Sequence, residues 1–360
     1  MSWPTLARWE WFKLRGRRVI WILLVILTVF SSLMVVIRYA DYEFQKDRDV
    51  VDEIIFLPDA PVLGTLEVEL NCTAFLAGVP ITEVPEPYTL DDIDLPGTGR
   101  KCRQEAEGIQ SRLDKLVDAF TMPGAVEKAL RWTGLISIPI AAFLTVLVVG
   151  SEYGWGTLRT TLMKGPGRRR LLSVKLGLVA LLLAGAWLVA LLLIIATSLV
   201  TTALVSEVSH GDMSAAAFGL IARDLGRAWF AALPYISLAA LLSVLFSRWA
   251  GGTLAATGMS IGYFLIELFT VGRLIKLFDG VAAFRWFGSF VEYDLGWNTA
   301  AWLFGRGGEP IAGFALAGAI GTADYPGDVH AFLVQLAFIL VLGAVAFSLF
   351  QRRDVTGPSG

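Results

Sequence analysis

Residues Gly150–Lys175 read GSEYGWGTLRTTLMKGPGRRRLLSVK. The stretch lies between two long apolar runs. It carries six basic residues, Arg159, Lys164, Arg168, Arg169, Arg170 and Lys175, against one carboxylate, Glu152. A strongly basic loop anchored at both ends in a membrane lies on the cytoplasmic side. The loop holds a Gly156-Thr157-Leu158-Arg159 helix start, a Gly165-Pro166-Gly167 break and a second helix start. That order reads as a docking surface rather than a slack linker. The plainer reading, a loop that only sets topology and binds anionic lipid, needs charge alone.

Outward from the loop, the 360-residue chain is 55% hydrophobic and only 17% charged, with mean hydropathy +0.63. Soluble domains carry about 25% charged residues, so most of this chain faces lipid or packs within it. A bilayer core of ~30 Å needs roughly 20 apolar helical residues. Six stretches qualify: Val19–Ile37, Trp132–Val149, Leu176–Val205, Ala228–Phe246, Gly251–Val271 and Ala331–Phe350. Ile311–Ile320 is too short and reads as interfacial or re-entrant. Pro139 and Pro234 are expected to kink their helices, which neighbouring spans tolerate. Arg38 and Lys175 sit at span ends and are expected to snorkel.

Basic residues orient the spans. Arg8, Lys13, Arg15, Arg17 and Arg18 precede the first; the Gly150–Lys175 loop follows the second; Arg248 lies between the fourth and fifth; Arg352 and Arg353 follow the sixth. An even number of spans puts all four groups on one side, with both termini cytoplasmic. The expected fold is therefore an all-α polytopic membrane protein of six transmembrane helices with a small α+β external domain between the first two. Its parts are an amphipathic interfacial helix (1–18), the first span (19–39), the external domain (40–128), the remaining spans with the 150–175 loop (129–351) and a cytoplasmic tail (352–360). The apolar run after the basic N-terminal segment is too long for a cleavable signal core.

The external insert, Asp41–Lys128, holds 19 acidic and eight basic residues, a net of -11. Ile54–Leu57 and Val62–Leu70 read as strands, and Glu105–Phe120 as an amphipathic helix, since Ile109, Leu113, Leu116, Val117 and Phe120 share a face. Both cysteines, Cys72 and Cys102, fall here. An external location permits a Cys72–Cys102 disulfide, worth roughly 3–4 kcal/mol in the chain-entropy model; two buried thiols are the alternative.

Chemistry-bearing motifs are scarce. The chain has no GxxxxGK[ST] or HExxH pattern, and its GxSxG string, Gly258–Gly262, lies inside an expected span and not at a strand-to-helix elbow, so nothing indicates that it cradles a nucleotide or hydrolyses a bond itself. Two cysteines and two histidines cannot supply a zinc site of the usual spacing. His210 and His330 are expected in loops. Glu267 is the one carboxylate well inside an expected span and is the candidate intramembrane polar site; reaching the interface or pairing with Arg273 is its plainer fate. Gly251, Ala255, Gly258 and Gly262 form a small-residue face suited to close helix packing or to a dimer seam. Aromatics from Phe284 to Trp302 read as an interfacial belt.

With these residues in view, the chain resembles the membrane subunit of a type-2 ABC exporter. The resemblance rests on Glu152, Gly156, Thr157, Leu158 and Arg159, then Pro166, Arg168, Arg169, Arg170 and Lys175. MPGAVEKALRWTGLISIPI before the second span and NTAAWL (Asn298–Leu303) before the last also look like that family. It implies a permease without enzymatic activity or cofactor of its own. Its partners would be a cytoplasmic ABC ATPase subunit and a second permease copy or paralogue, in a plasma or inner membrane, with no nucleic acid. The coupling residues would be Glu152, Gly156, Thr157, Leu158, Arg159, Lys164, Arg168, Arg169, Arg170 and Lys175. The cargo would be amphipathic, a lipid or a peptide. Other classes that fit the composition are a membrane-embedded enzyme and a sensor or anchor with an external ligand-binding domain.

Overall fold

A computed structural model describes residues 2–46, 52–54, 69–71, 95–154, 162, 167–205, 208–211, 214–247, 249, 251–267, 292–304 and 327–352. Gly156, Thr157, Leu158, Arg159, Lys164, Cys72, Arg248, Arg273 and the 311–320 run lie outside them. The chain divides into two compact units.

The first unit comprises Met1–Met34, Val126–Ala196 and Asp212–Gly360. Helix α1 (Trp3–Arg15) opens with a proline in its first turn, where the missing N–H costs nothing. It buries Leu6, Glu10 and Leu14, a four-residue repeat that lines one helical face. Helix α2 (Arg18–Lys46) begins in this unit. Helix α3 (Leu95–Phe120) belongs to the second unit. Helix α4 (Gly124–Thr145) contains Pro139 without interruption. It passes into a π-helical turn, Val146–Gly150, and then into the short helix α5 (Ser151–Gly154). Helix α6 is Arg168–Leu204, and α7 is Ala215–Leu245 with Pro234 inside it. The α7 N-terminus is capped by Ser214, whose hydroxyl accepts from the Ala217 N–H at 3.3 Å. Gly251, at φ 79°, makes the left-handed turn into α8 (Gly252–Ile266), a conformation that suits glycine. Helices α9 (Leu295–Phe304) and α10 (Asp328–Arg352) complete the unit.

Five of these helical segments are long and apolar enough to cross a membrane: Arg18–Lys46, Gly124–Tyr153, Arg168–Leu204, Ala215–Leu245 and Asp328–Arg352. The fifth expected span, Gly251–Val271, is described only to Glu267, and its α8 is a shorter apolar helix. Its buried residues are Gly252, Ala256, Ser260 and Phe264, not the small-residue face read from sequence. Among the described residues, a side chain at Gly258 or Gly262 would meet nothing. Ala142 and Val146 of the second span pack with Ala239 and Phe246 around α7 and with Ala256 of α8.

The second unit comprises Val35–Ala125 and Thr197–Gly211. Helix α3 (Leu95–Phe120) is longer than the expected Glu105–Phe120 segment. Phe120 is fully buried and meets Tyr39 and Tyr42 at ring-centroid distances of 5.8 and 5.3 Å. The Ser198 hydroxyl donates to the Phe120 carbonyl at 2.7 Å. Asp52–Ile54 (β1) pairs antiparallel with Glu69–Asn71 (β2); most of the expected strands Ile54–Leu57 and Val62–Leu70 lies outside the described residues. Cys102 is buried and disulfide-bonded.

Two further expectations are corrected. Lys175 does not snorkel: it is 2% exposed, because two carboxylates are available inside the protein. His330 lies in the first turn of α10 rather than in a loop.

Candidate functional site: a buried charge square at the root of the basic loop

The basic loop leaves from α5 and returns into α6, and charged groups at these two ends meet a third element, α1. Glu10 projects from the buried stripe of α1, with Lys13 one turn on. The Lys13 ammonium lies 2.8 Å from Glu10 Oε1 and 2.7 Å from Glu152 Oε1. The Lys175 ammonium lies 2.8 Å from Glu10 Oε2 and 2.9 Å from Glu152 Oε1. Two carboxylates and two ammonium groups thus alternate around a neutral square. Three of the four side chains are almost wholly buried; Lys13 alone reaches the surface and packs over the Trp9 ring at 3.6 Å. A buried ion is costly unless paired and hydrogen-bonded, so the square holds α1, α5 and α6 together at one point.

The π turn supplies acceptors for the surplus positive charge. A π turn displaces the regular i→i−4 ladder, and here its carbonyls turn toward cations. Lys175 Nζ donates to the Val148 carbonyl at 3.1 Å. Arg17 donates to the Leu147 carbonyl and, at 2.8 Å, to the Ser151 hydroxyl. Burial lowers the Arg17 pKa, an effect opposed by the nearby Glu152 and Glu10 carboxylates. Arg168, at the start of α6, donates to the Gln351 carbonyl at the end of α10. Apolar packing surrounds the square: Leu6, Val149, Leu171, Leu172, Val174, Val244 and Phe350 form one buried cluster.

Of the coupling residues read from sequence, Glu152 and Lys175 come together, while Arg168, Arg169 and Arg170 line the start of α6. Glu152 is 2% exposed, so it faces inward rather than offering its charge to a partner's groove. Glu10, Lys13 and Arg17 were not singled out as site residues. The available signal was Glu10 itself, the lone carboxylate among the six charged residues of the 1–18 segment.

A second polar cluster surrounds Glu267. The Tyr235 hydroxyl of α7 donates to Glu267 Oε2 at 2.7 Å, and Glu267 is 8% exposed. Among the described residues, Tyr263 and Asp294 are the other ionisable groups near it. Asp294 caps α9, accepting from the Trp297 N–H at 3.0 Å. Burial pushes the Asp294 carboxyl above its ordinary range, against the backbone N–H groups of Trp297, Gly296 and Leu295. Gly296 is required by the close approach: a Cβ there would lie 2.6 Å from Glu267 Cβ and 2.7 Å from its Oε2. Buried Asn298 donates to the Glu292 and Asp294 carbonyls, both at 2.8 Å. The Arg273 pairing considered from sequence lies outside the described residues.

No protein-family model and no curated protein matches the chain. Its long apolar helices define it as a multi-pass membrane protein.

Proposed function

We propose that this chain is the permease subunit of an ATP-driven ABC exporter, moved by a separate cytoplasmic ATPase and paired with a second permease copy or paralogue. It would sit in the plasma or inner membrane with six spans, both termini cytoplasmic and an α+β domain outside. The cargo would be a lipid, a peptide or another amphipathic molecule. The observation that carries this reading is the charge square. A partner that pushes on the 150–175 loop needs that loop rooted stiffly at both ends. Glu152 stands at its departure and Lys175 at its return, and both are clamped to α1 through Glu10 and Lys13. Force on the loop would then pass into α1, the second span and α6 instead of being absorbed locally. The small face of α8, where a Cβ at Gly258 or Gly262 would meet nothing among the described residues, supports the second copy.

Affinity purification of the full chain from its native membrane tests the proposal. Co-purification of a P-loop ATPase whose hydrolysis depends on the 150–175 loop is expected. Capture of phospholipid alone, with no such ATPase by mass spectrometry, would defeat the proposal. A second reading, a membrane-embedded enzyme, draws on the convergence of Tyr235, Glu267 and Asp294. Activity of the isolated chain that disappears in Glu267→Gln would favour it.

A further inference from the structure

An apolar groove of about 570 Å³ runs between the start of α2 and α6, with Trp11 of α1 in its wall. Trp11, Trp21, Val25, Leu181, Gly185 and Val189 are among its walls. Trp11 and Trp21 meet edge-on at 6.2 Å, and the Trp21 indole N–H donates to the Arg15 carbonyl at 3.0 Å. The groove is therefore anchored at the level of the α1–α2 turn, where tryptophan with one polar edge suits the membrane–water boundary. From there it runs toward Leu181, Gly185 and Val189, inside the apolar run of α6.

Two arginines spaced one helical turn from the groove tryptophans select the occupant. Arg15 lies four residues after Trp11 on α1, and Arg18 three residues before Trp21 on α2, so each arginine shares a face with a groove tryptophan. Both are exposed, and neither has a carboxylate within ion-pair distance among the described residues. This contrasts with Lys13, Arg17 and Lys175, which turn inward to the charge square and its carbonyls. Two exposed guanidinium groups with no carboxylate partner among the described residues, beside an apolar slot, match an anionic phospholipid. Its phosphate would lie between Arg15 and Arg18, with one chain along Gly185. Basic pockets between spans on the cytoplasmic side commonly take anionic headgroups.

We propose that this groove is a specific site for an anionic phospholipid of the leaflet next to the basic N-terminal helix. The site rests on the orientation of the chain and not on its coupling to an ATPase, so either can fail without the other.

The test is photolabelling of the full chain in vesicles with phosphatidylglycerol carrying a diazirine in its acyl chain, against the matching phosphatidylcholine. The expected result is phosphatidylglycerol label on the 21–28 and 178–189 peptides. Gly185→Phe fills the groove from a position where a side chain meets nothing among the described residues, and should abolish most of that label. Val341→Phe, on the exposed face of α10, should not change it. Arg15→Gln and Arg18→Gln should each lower phosphatidylglycerol label by about fivefold and leave phosphatidylcholine label unchanged. Equal labelling by the two lipids, label undiminished in Gly185→Phe, or crosslinks from the groove to a second copy of the chain would each overturn the proposal.

Discussion

Lys175, at the head of α6, holds Glu10 of the N-terminal helix at 2.8 Å with both side chains buried. The two residues are 165 positions apart, and their contact ties the amphipathic helix to the point where the basic loop re-enters the membrane. Glu152 completes the same arrangement from the other end of the loop.

Breaking that contact from one side leaves a buried, uncompensated charge. Glu10→Gln and Lys175→Met should each destabilise the protein by about 3–5 kcal/mol. The double variant should lose markedly less than the sum, since its members share one network. Unfolding midpoints of the three variants in one detergent measure this, and simple additivity would show that the pair is not coupled.

Glu152 and Arg159 should separate under the coupling proposal. Glu152→Ala removes a partner of both Lys13 and Lys175, so it should lower stability as well as transport. Arg159→Ala should leave the unfolding midpoint unchanged while transport per ATP hydrolysed falls. Reconstituted vesicles with the ATPase present give both readouts. Normal transport in both variants would remove the coupling role from the loop.

At Gly296 a single methyl group should be felt. The Cβ of Gly296→Ala would meet Glu267 at 2.6 Å, so α9 must shift, at a cost of about 1–3 kcal/mol. Gly258→Ala, whose Cβ meets nothing among the described residues, should cost less than about 1 kcal/mol. Thermal unfolding of the two variants side by side tests the contrast.

Tyr235→Phe deletes the hydroxyl that donates to Glu267 and leaves one carboxylate oxygen with a missing donor. A loss of about 1–3 kcal/mol is expected. Combining it with Glu267→Gln should cost less than the two single changes together. A double-mutant cycle by denaturant unfolding measures the coupling, and a value near zero would show that the hydrogen bond contributes nothing.

Much of the architecture was legible as local pattern. Val19–Ile37 lies within α2, Leu176–Val205 largely within α6 and Ala331–Phe350 within α10, because twenty apolar residues announce a span without reference to any neighbour. Glu152 and Lys175 were found because they flank a basic loop, and Glu267 because a carboxylate in an apolar run stands out. The surroundings of Lys175 were not legible in the same way. Lys175 was expected to reach for water, yet it is buried because Glu10 lies on another helix. Of the small residues of α8, Gly252, Ala256 and Ser260 face inward, a choice made by α7 and the second span that the spacing alone does not report.

Hydropathy and the order of charges were enough to establish a multi-pass membrane chain, since transfer into lipid is a property of each segment taken alone. Which cation meets which carboxylate was not encoded in any segment. The square of Glu10, Lys13, Glu152 and Lys175 and the bond from Tyr235 to Glu267 exist only after helices have packed. Inside a low-dielectric interior a charge is stabilised by whatever lies within a few ångströms of it in space, and distance along the chain does not report that.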